Sequence, residues 1–205
     1  MKIHNTLTRQ KEDFKEIEEN KIKMYVCGPT VYDYMHIGNA RPLVVFDTFR
    51  RFMTFRGYDL TYVINFTDVD DKIIKKSIEE KITTKQVTDK YIKAYMDDAK
   101  DLNLDEENTI HPRATEVIDD IINFVKSLVD KNLAYEVDGD VYFDVSKAED
   151  YGKLSGKNLE DLVHGASQRV DDNQTLKKKS PADFALWKKT KIDGEISWDS
   201  PWAVS

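Results

Sequence analysis

Cysteine is nearly absent from this chain. Cys27 is the one thiol in 205 residues, so an intramolecular disulfide framework is excluded and a reducing cytoplasm is the compartment that suits it. Long hydrophobic runs are lacking as well: the longest, such as Leu43-Val44-Val45-Phe46, fall far short of a bilayer span. The charged sequence after Met1-Lys2-Ile3-His4 has no apolar signal-peptide region. A soluble, cytoplasmic protein without a membrane partner is expected. Proline (5) and glycine (8) are scarce, and 40% hydrophobic with 34% charged residues describes a helix-rich globular chain, too apolar to be disordered. There is no excess of positive charge. At a net charge of −7 bulk electrostatics cannot hold nucleic acid, and any RNA contact must come from a local basic patch. Neither a Walker-type Gly-Lys-Ser/Thr loop nor a Gly-x-Gly-x-x-Gly fingerprint is found.

What is present reads as α/β. Ile22 to Cys27 is a short buried strand ended by Gly28-Pro29. A loop leads to a helix over about Ile37 to Arg56, with Val45, Phe46, Phe49, Phe52 and Met53 as its inward face and Gly57 as its stop. Tyr58 to Phe66, aromatic and β-branched, is the next strand. Strand, helix and strand at this spacing make a βαβ unit with parallel strands. Asp70–Lys81 and Thr88–Leu102 follow as helices, with Ile74, Ile78, Ile82 and Val87, Tyr91, Tyr95 spaced by four. A third helix runs from Ala114 to Lys131 with an apolar stripe through Val117, Ile118, Ile121, Ile122, Val125, Leu128 and Val129. From Ala134 the texture changes to short strands, Val141–Val145 and Phe184–Trp187, with breaks at Gly152, Gly156 and Gly165. The expected division is 1–112, an α/β piece, and 113–205, a mixed insertion-like piece.

The densest chemistry lies between the first strand and the first helix. In open α/β sheets ligands bind outside the carboxyl ends of strands, and a helix N-terminus offers N–H groups to anions such as phosphate. His36 and Asn39 can donate to phosphoryl oxygens, and Gly38 lets a flat ring approach the backbone. The competing role for His36 and Asn39 is to cap the helix. Cys27 is either a buried, inert core residue or, at a strand end beside an anion site, a ligand or reactive thiol. Asp68, Asp70 and Asp71 suit helix capping better than metal or acid–base chemistry. Lys177-Lys178-Lys179 and Lys188-Lys189-Lys191 read as solvated surface before nucleic-acid contacts. Structural roles are expected for His4, His111 and His164, and packing roles for Trp187 and Trp198.

The run Cys27-Gly28-Pro29-Thr30-Val31-Tyr32-Asp33 followed by His36-Ile37-Gly38-Asn39 resembles the signature of cysteinyl-tRNA synthetases, with Asn39 in the last place of a class I His-Ile-Gly-His motif. Asn5–Lys11, Asn65–Ile74, Pro112–Thr115, Gly139–Phe143, Tyr151–Ser155 and Asp183–Lys188 resemble further blocks of that family in the same order. The resemblance implies the first half of a Rossmann-like parallel sheet followed by a connective-peptide-like insertion. It also implies a cysteine–tRNA ligase, which activates cysteine with ATP and Mg and transfers it to tRNA-Cys. On the matching positions, Thr30, His36, Gly38 and Asn39 would bind ATP, with His36 and Asn39 acting on the phosphates; Gly28 and Thr67 would line the cysteine pocket; Cys27 would be the first zinc ligand.

After Trp198-Asp199-Ser200-Pro201-Trp202 the family continues into a second zinc cysteine, then His and Glu ligands and a Lys-Met-Ser-Lys-Ser loop, whereas here the chain reads Ala203-Val204-Ser205. The expectation is an incomplete chain, inactive alone and weak or lacking in zinc. An open sheet edge would favour self-association or a complementing chain. Two alternatives stand beside it: a non-catalytic paralogue binding nucleotide, tRNA or a partner, and an ATP-dependent ligase joining cysteine to an amino sugar.

Overall fold

A computed structural model describes residues 1–156, 177–190 and 196–203. In chain order it contains β1 (Lys2–Asn5), β2 (Gln10–Asp13), β3 (Lys21–Val26), α1 (Ile37–Phe55), β4 (Asp59–Ile64), α2 (Asp71–Glu80), α3 (Thr84–Asp101), β5 (Thr109–Ile110), α4 (Ile118–Asp130), β6 (Ala134–Val137), β7 (Asp140–Phe143) and β8 (Phe184–Trp187). Two compact units result, Lys15–Ile118 and the pair of segments Met1–Phe14 with Asp119–Ser205. No sequence pattern announced that the first fourteen residues group with the second piece.

In the unit Lys15–Ile118, β3 pairs in parallel with β4 from Lys21↔Asp59 to Val26↔Ile64, and β4 with β5 through Tyr62↔Thr109 and Val63↔Ile110. The expected βαβ arrangement is therefore present, in the strand order β3-β4-β5. Val26, Tyr62, Ile64 and Phe66 from the strand side pack with Leu43 of α1, Ile73 of α2 and Val87, Tyr91, Ile92, Tyr95 and Ala99 of α3. The Val87, Tyr91, Tyr95 stripe is buried as its spacing requires.

Two helix faces differ from the sequence reading. On α1 the buried positions are Ala40, Leu43, Asp47, Arg50 and Met53, while Val45, Phe46 and Phe52 are exposed and Phe55 is 87% exposed. Of the five positions expected inside, only Met53 is fully buried. The physical reason is charge compensation: Arg50 binds Asp47 and, at 3.2 Å, Asp105, so two charges occupy the core-facing row that an apolar count assigns elsewhere. On α2, Ile73 and Ser77 are buried and Ile78 is exposed.

Helix boundaries follow cap chemistry. α3 starts at Thr84 because Thr83 and Gln86 form a capping box: the Gln86 N–H donates to Thr83 Oγ1 at 3.1 Å and the Thr83 N–H to Gln86 Oε1 at 2.9 Å. Thr83→Ala is expected to destabilise the fold by about 1 kcal/mol, read as a lower urea midpoint at unchanged slope. A single 3₁₀ turn, Ala114–Glu116, precedes α4 and shifts its start to Ile118.

In the other unit β6, β7 and β8 form an antiparallel sheet in that order, and β1 and β2 an antiparallel pair. Val141, Tyr142 and Trp187 are buried. Asp183, 2% exposed, accepts from Tyr135 Oη at 2.7 Å and the Val145 N–H at 3.0 Å, a buried carboxylate kept by its donors.

Candidate functional site

Three chain segments converge where the parallel strands end. Past β3, the Val31 N–H donates to the Thr67 carbonyl at 3.2 Å and the Thr67 N–H to the Pro29 carbonyl at 3.1 Å. The Phe66 N–H donates to the Pro112 carbonyl at 2.9 Å, and the Ala114 N–H returns to Phe66 at 3.2 Å. These contacts bring Gly28, Thr30 and Thr67 to the carboxyl end of the sheet, where an open α/β sheet takes its ligands.

Asn65 joins the two residues expected at a cysteine pocket. Its Oδ1 accepts the Gly28 N–H at 2.9 Å and its Nδ2 donates to Thr67 Oγ1 at 3.2 Å. Gly28 is required by this closeness, since a Cβ there would lie 1.7 Å from the Asn65 carbonyl oxygen. Cys27 is exposed. It follows the buried Val26, and strand alternation turns its side chain the other way, so the buried-core alternative for this thiol is not what the fold has. Its Sγ lies 3.8 Å from the Gly28 carbonyl oxygen.

His36 is the N-cap of α1, with extended backbone at φ −108° and ψ 166°. Its Nδ1 accepts the Gly38 N–H at 3.0 Å, and its carbonyl accepts from Asn39 at 2.8 Å and Ala40 at 3.1 Å. A nitrogen that accepts carries no proton, so the neutral imidazole bears its N–H on Nε2, which is left to donate elsewhere. Capping engages one ring nitrogen only, so it does not exclude the anion-binding role that the sequence reading set against it. Gly38 has a role of its own here, because a Cβ would meet His36 Cε1 at 2.7 Å; the flat ring that its missing side chain admits is His36.

Thr30, His36 and Asn39 line a cavity of about 270 Å³ together with Pro29, Tyr32, Asp33, Lys72 and Tyr91. Cys27, Gly28, Gly38 and Thr67 are not among its lining residues. Tyr34 packs edge-on against Tyr91, centroids 5.3 Å apart, and the Lys72 ammonium sits 5.1 Å from the Tyr32 ring centroid. Pattern reading missed Tyr32, Lys72 and Tyr91 as cavity residues. Tyr91 was absorbed into a core stripe, and the only signal for Lys72 was its place two residues past the cap at Asp70.

Several of the remaining candidates have structural partners. Asp70 caps α2, accepting the Lys72 N–H at 2.9 Å, and Asp71 is in its first turn. Asp68 is buried and accepts the Thr115 N–H at 3.0 Å, so it ties two loops and does not cap. His111 faces the Ile64 carbonyl at 2.9 Å and Glu106 at 2.5 Å. Lys177 pairs with Asp140 at 3.0 Å, and Lys179 lies 4.1 Å from the Tyr135 ring centroid. Trp187 packs beside Trp202 at 6.2 Å. His164, Gly165 and Lys191 lie outside the described residues.

A zinc site needs three or four ligands. Among the described residues no group of three or more His, Cys, Asp or Glu side chains is placed to hold a metal. Among the described residues Cys27 is one soft donor, fewer ligands than a zinc site needs.

Residues 13–205 match the family described as tRNA synthetases class I (C) catalytic domain. The chain belongs to this class I (C) synthetase family. A cysteine–tRNA ligase of Finegoldia magna is 58% identical over all of the chain and 43% of its own length. Others from Lactobacillus gasseri and Clostridioides difficile are 55% and 57% identical over 98% of the chain, and over 43% and 42% of their lengths. The chain thus spans less than half the length of these relatives. The parallel sheet with its helices fits the Rossmann-like catalytic domain of class I (C) synthetases, with antiparallel sheets added.

Proposed function

We propose that this chain carries the nucleotide-binding part of a cysteine–tRNA ligase, an enzyme that joins cysteine to tRNA-Cys through an adenylate made from ATP. The observation that carries this is the cavity lined by Thr30, His36 and Asn39 at the carboxyl end of the parallel sheet. In this reading His36 caps α1 through Nδ1 and donates to ATP phosphate through Nε2–H. Asn39 donates its amide to the same charge, Thr30 contributes its hydroxyl, and Gly38 leaves the space in which the His36 ring lies. Each group would stabilise negative charge as the cysteine carboxylate attacks the α-phosphate and pyrophosphate leaves, with Mg expected on the phosphates. Gly28 and Thr67, joined through Asn65, are proposed to line the cysteine pocket.

Cys27 is proposed as one thiolate ligand of the zinc that the family implies. The described residues offer it no companion ligand, so no step of the reaction is assigned to zinc here. A cytoplasmic location is the matching proposal; among the described residues no helix is long and apolar enough to cross a membrane. Association with a further chain is proposed from the exposed Val45 and Phe55 of α1.

ATP binding tests the central claim. The chain is expected to bind ATP, and His36→Ala to weaken it by about tenfold, the loss of one charge-assisted hydrogen bond. Equal affinity in both proteins would remove His36 from the site. Cysteine-dependent exchange of pyrophosphate into ATP by this chain would overturn the claim that its residues supply only part of the catalytic site.

A further inference from the structure

The cavity beside the α1 start is closed on one side by α2 and α3, through Lys72, Tyr91 and Tyr95. Its volume, about 270 Å³, is below the roughly 300–1,000 Å³ of pockets that hold a whole ligand, so it has room for part of a nucleotide. Its wall carries one cationic side chain, Lys72, and one carboxylate, Asp33. Asp33 is engaged with the backbone, accepting the Tyr34 N–H at 2.9 Å, and no ion pair joins it to Lys72. The Lys72 ammonium is instead held 5.1 Å from the Tyr32 ring centroid. A ring face attracts a cation but leaves its three N–H donors largely uncommitted. The position of the lysine is built in: its own N–H donates to the Asp70 cap at 2.9 Å, which fixes it in the first turn of α2.

An amine with free donors in the same small cavity as an imidazole, a carboxamide and a threonine hydroxyl calls for an anionic ligand group. We propose that Lys72 is a phosphate-binding residue of this site, its ammonium contacting the phosphate oxygens of ATP from the α2 wall while His36 and Asn39 contact them from the start of α1. This rests on the ATP reading above and adds a residue to it. Tyr32 is then the positioning residue, holding the ammonium against the cavity.

ATP and adenosine titrations against wild type, Lys72→Met, Lys72→Arg and His36→Ala test it. Lys72→Met is expected to weaken ATP by about tenfold, as loss of a charge-assisted contact does, and to flatten the salt dependence of binding. Adenosine, which lacks phosphate, should bind this variant as it binds wild type, and Lys72→Arg should stay within about threefold of wild type for ATP because the charge is kept. If Lys72→Met binds ATP as tightly as wild type while His36→Ala is weakened, Lys72 is not a phosphate ligand and the ATP reading survives. Equal losses for ATP and adenosine would make Lys72 a packing residue and overturn the proposal. A loss confined to tRNA would overturn it too, by moving the phosphate to another ligand. Failure of wild type to bind ATP would overturn both.

Discussion

Replacing Gly28 with alanine is expected to cost about 3 kcal/mol of unfolding free energy, at the large end for a single substitution. A Cβ at this position would lie 1.7 Å from the Asn65 carbonyl oxygen, 2.8 Å from its carbon and 3.0 Å from Ile64 Cγ2. Two of these three atoms are backbone at the end of β4, and Ile64 is 1% exposed in the core. No side chain can swing aside to relieve the contact, so the chain past β3 must move away from the chain past β4. That movement strains the Gly28 N–H bond to Asn65 Oδ1 and the parallel bridge between Thr30 and Thr67. A urea titration should show a lower midpoint at unchanged slope. Because the displaced strand end leads into His36, the ATP binding proposed for this site should weaken as well. Wild-type stability in Gly28→Ala would mean that this close approach is not a feature of the folded protein.

Gly28 and Gly38 illustrate what a sequence conveys and what it leaves out. Gly38 was legible as a position where a backbone must be approached closely, whereas Gly28 was legible only as the punctuation that ends a strand and, through the family resemblance, as part of a cysteine pocket. What approaches was not: it is Asn65 for Gly28, which is 37 residues away, and the His36 ring for Gly38. Strands, helices and the parallel pairing of β3 with β4 were legible because short β-branched runs, Gly-Pro punctuation and four-residue spacing are local signals. The inward face of α1 was not, because hydrophobic counting assigns Val45, Phe46 and Phe52 to the core and cannot see that Arg50 will find Asp47 and Asp105. The same limit hid Lys72. A lysine two residues past a cap looks like solvated surface until α2, the Pro29–His36 loop and the start of α1 are brought to one cavity. The grouping of Met1–Phe14 with Asp119–Ser205 depends wholly on long-range packing and has no local trace.

The second large effect is expected from Asp47→Ala, about 3–5 kcal/mol, the cost of removing one partner from a buried ion pair. Asp47 is 7% exposed and Arg50 3%. The carboxylate receives Arg50 Nη2, Arg51 Nε at 2.7 Å and, at 3.3 Å, the Asp105 N–H. Arg50 also donates to the Asp105 carbonyl at 2.9 Å, so the cluster binds α1 to the loop that precedes β5. Removing Asp47 leaves a guanidinium in the core whose Nε already lacks a partner among the described residues. Arg50→Met should cost less than Asp47→Ala, since the Asp47 carboxylate it leaves keeps Arg51 Nε and the Asp105 N–H as partners and methionine refills much of the volume. The pH dependence gives an independent check. Burial alone would raise the Asp47 carboxyl, but the hydrogen bonds from Arg51, the Asp105 N–H and Arg50, together with the Arg50 charge, outweigh it and hold the group below its ordinary 3.8. A group depressed in the folded state adds stability that is complete above its unfolded value and is lost as pH falls through its folded one. Wild type should therefore weaken on acidification below about pH 4, and Asp47→Asn should show a shallower loss over the same range. Parallel acid curves for the two proteins would show that Asp47 carries no proton-linked stability, whatever its partners in the fold.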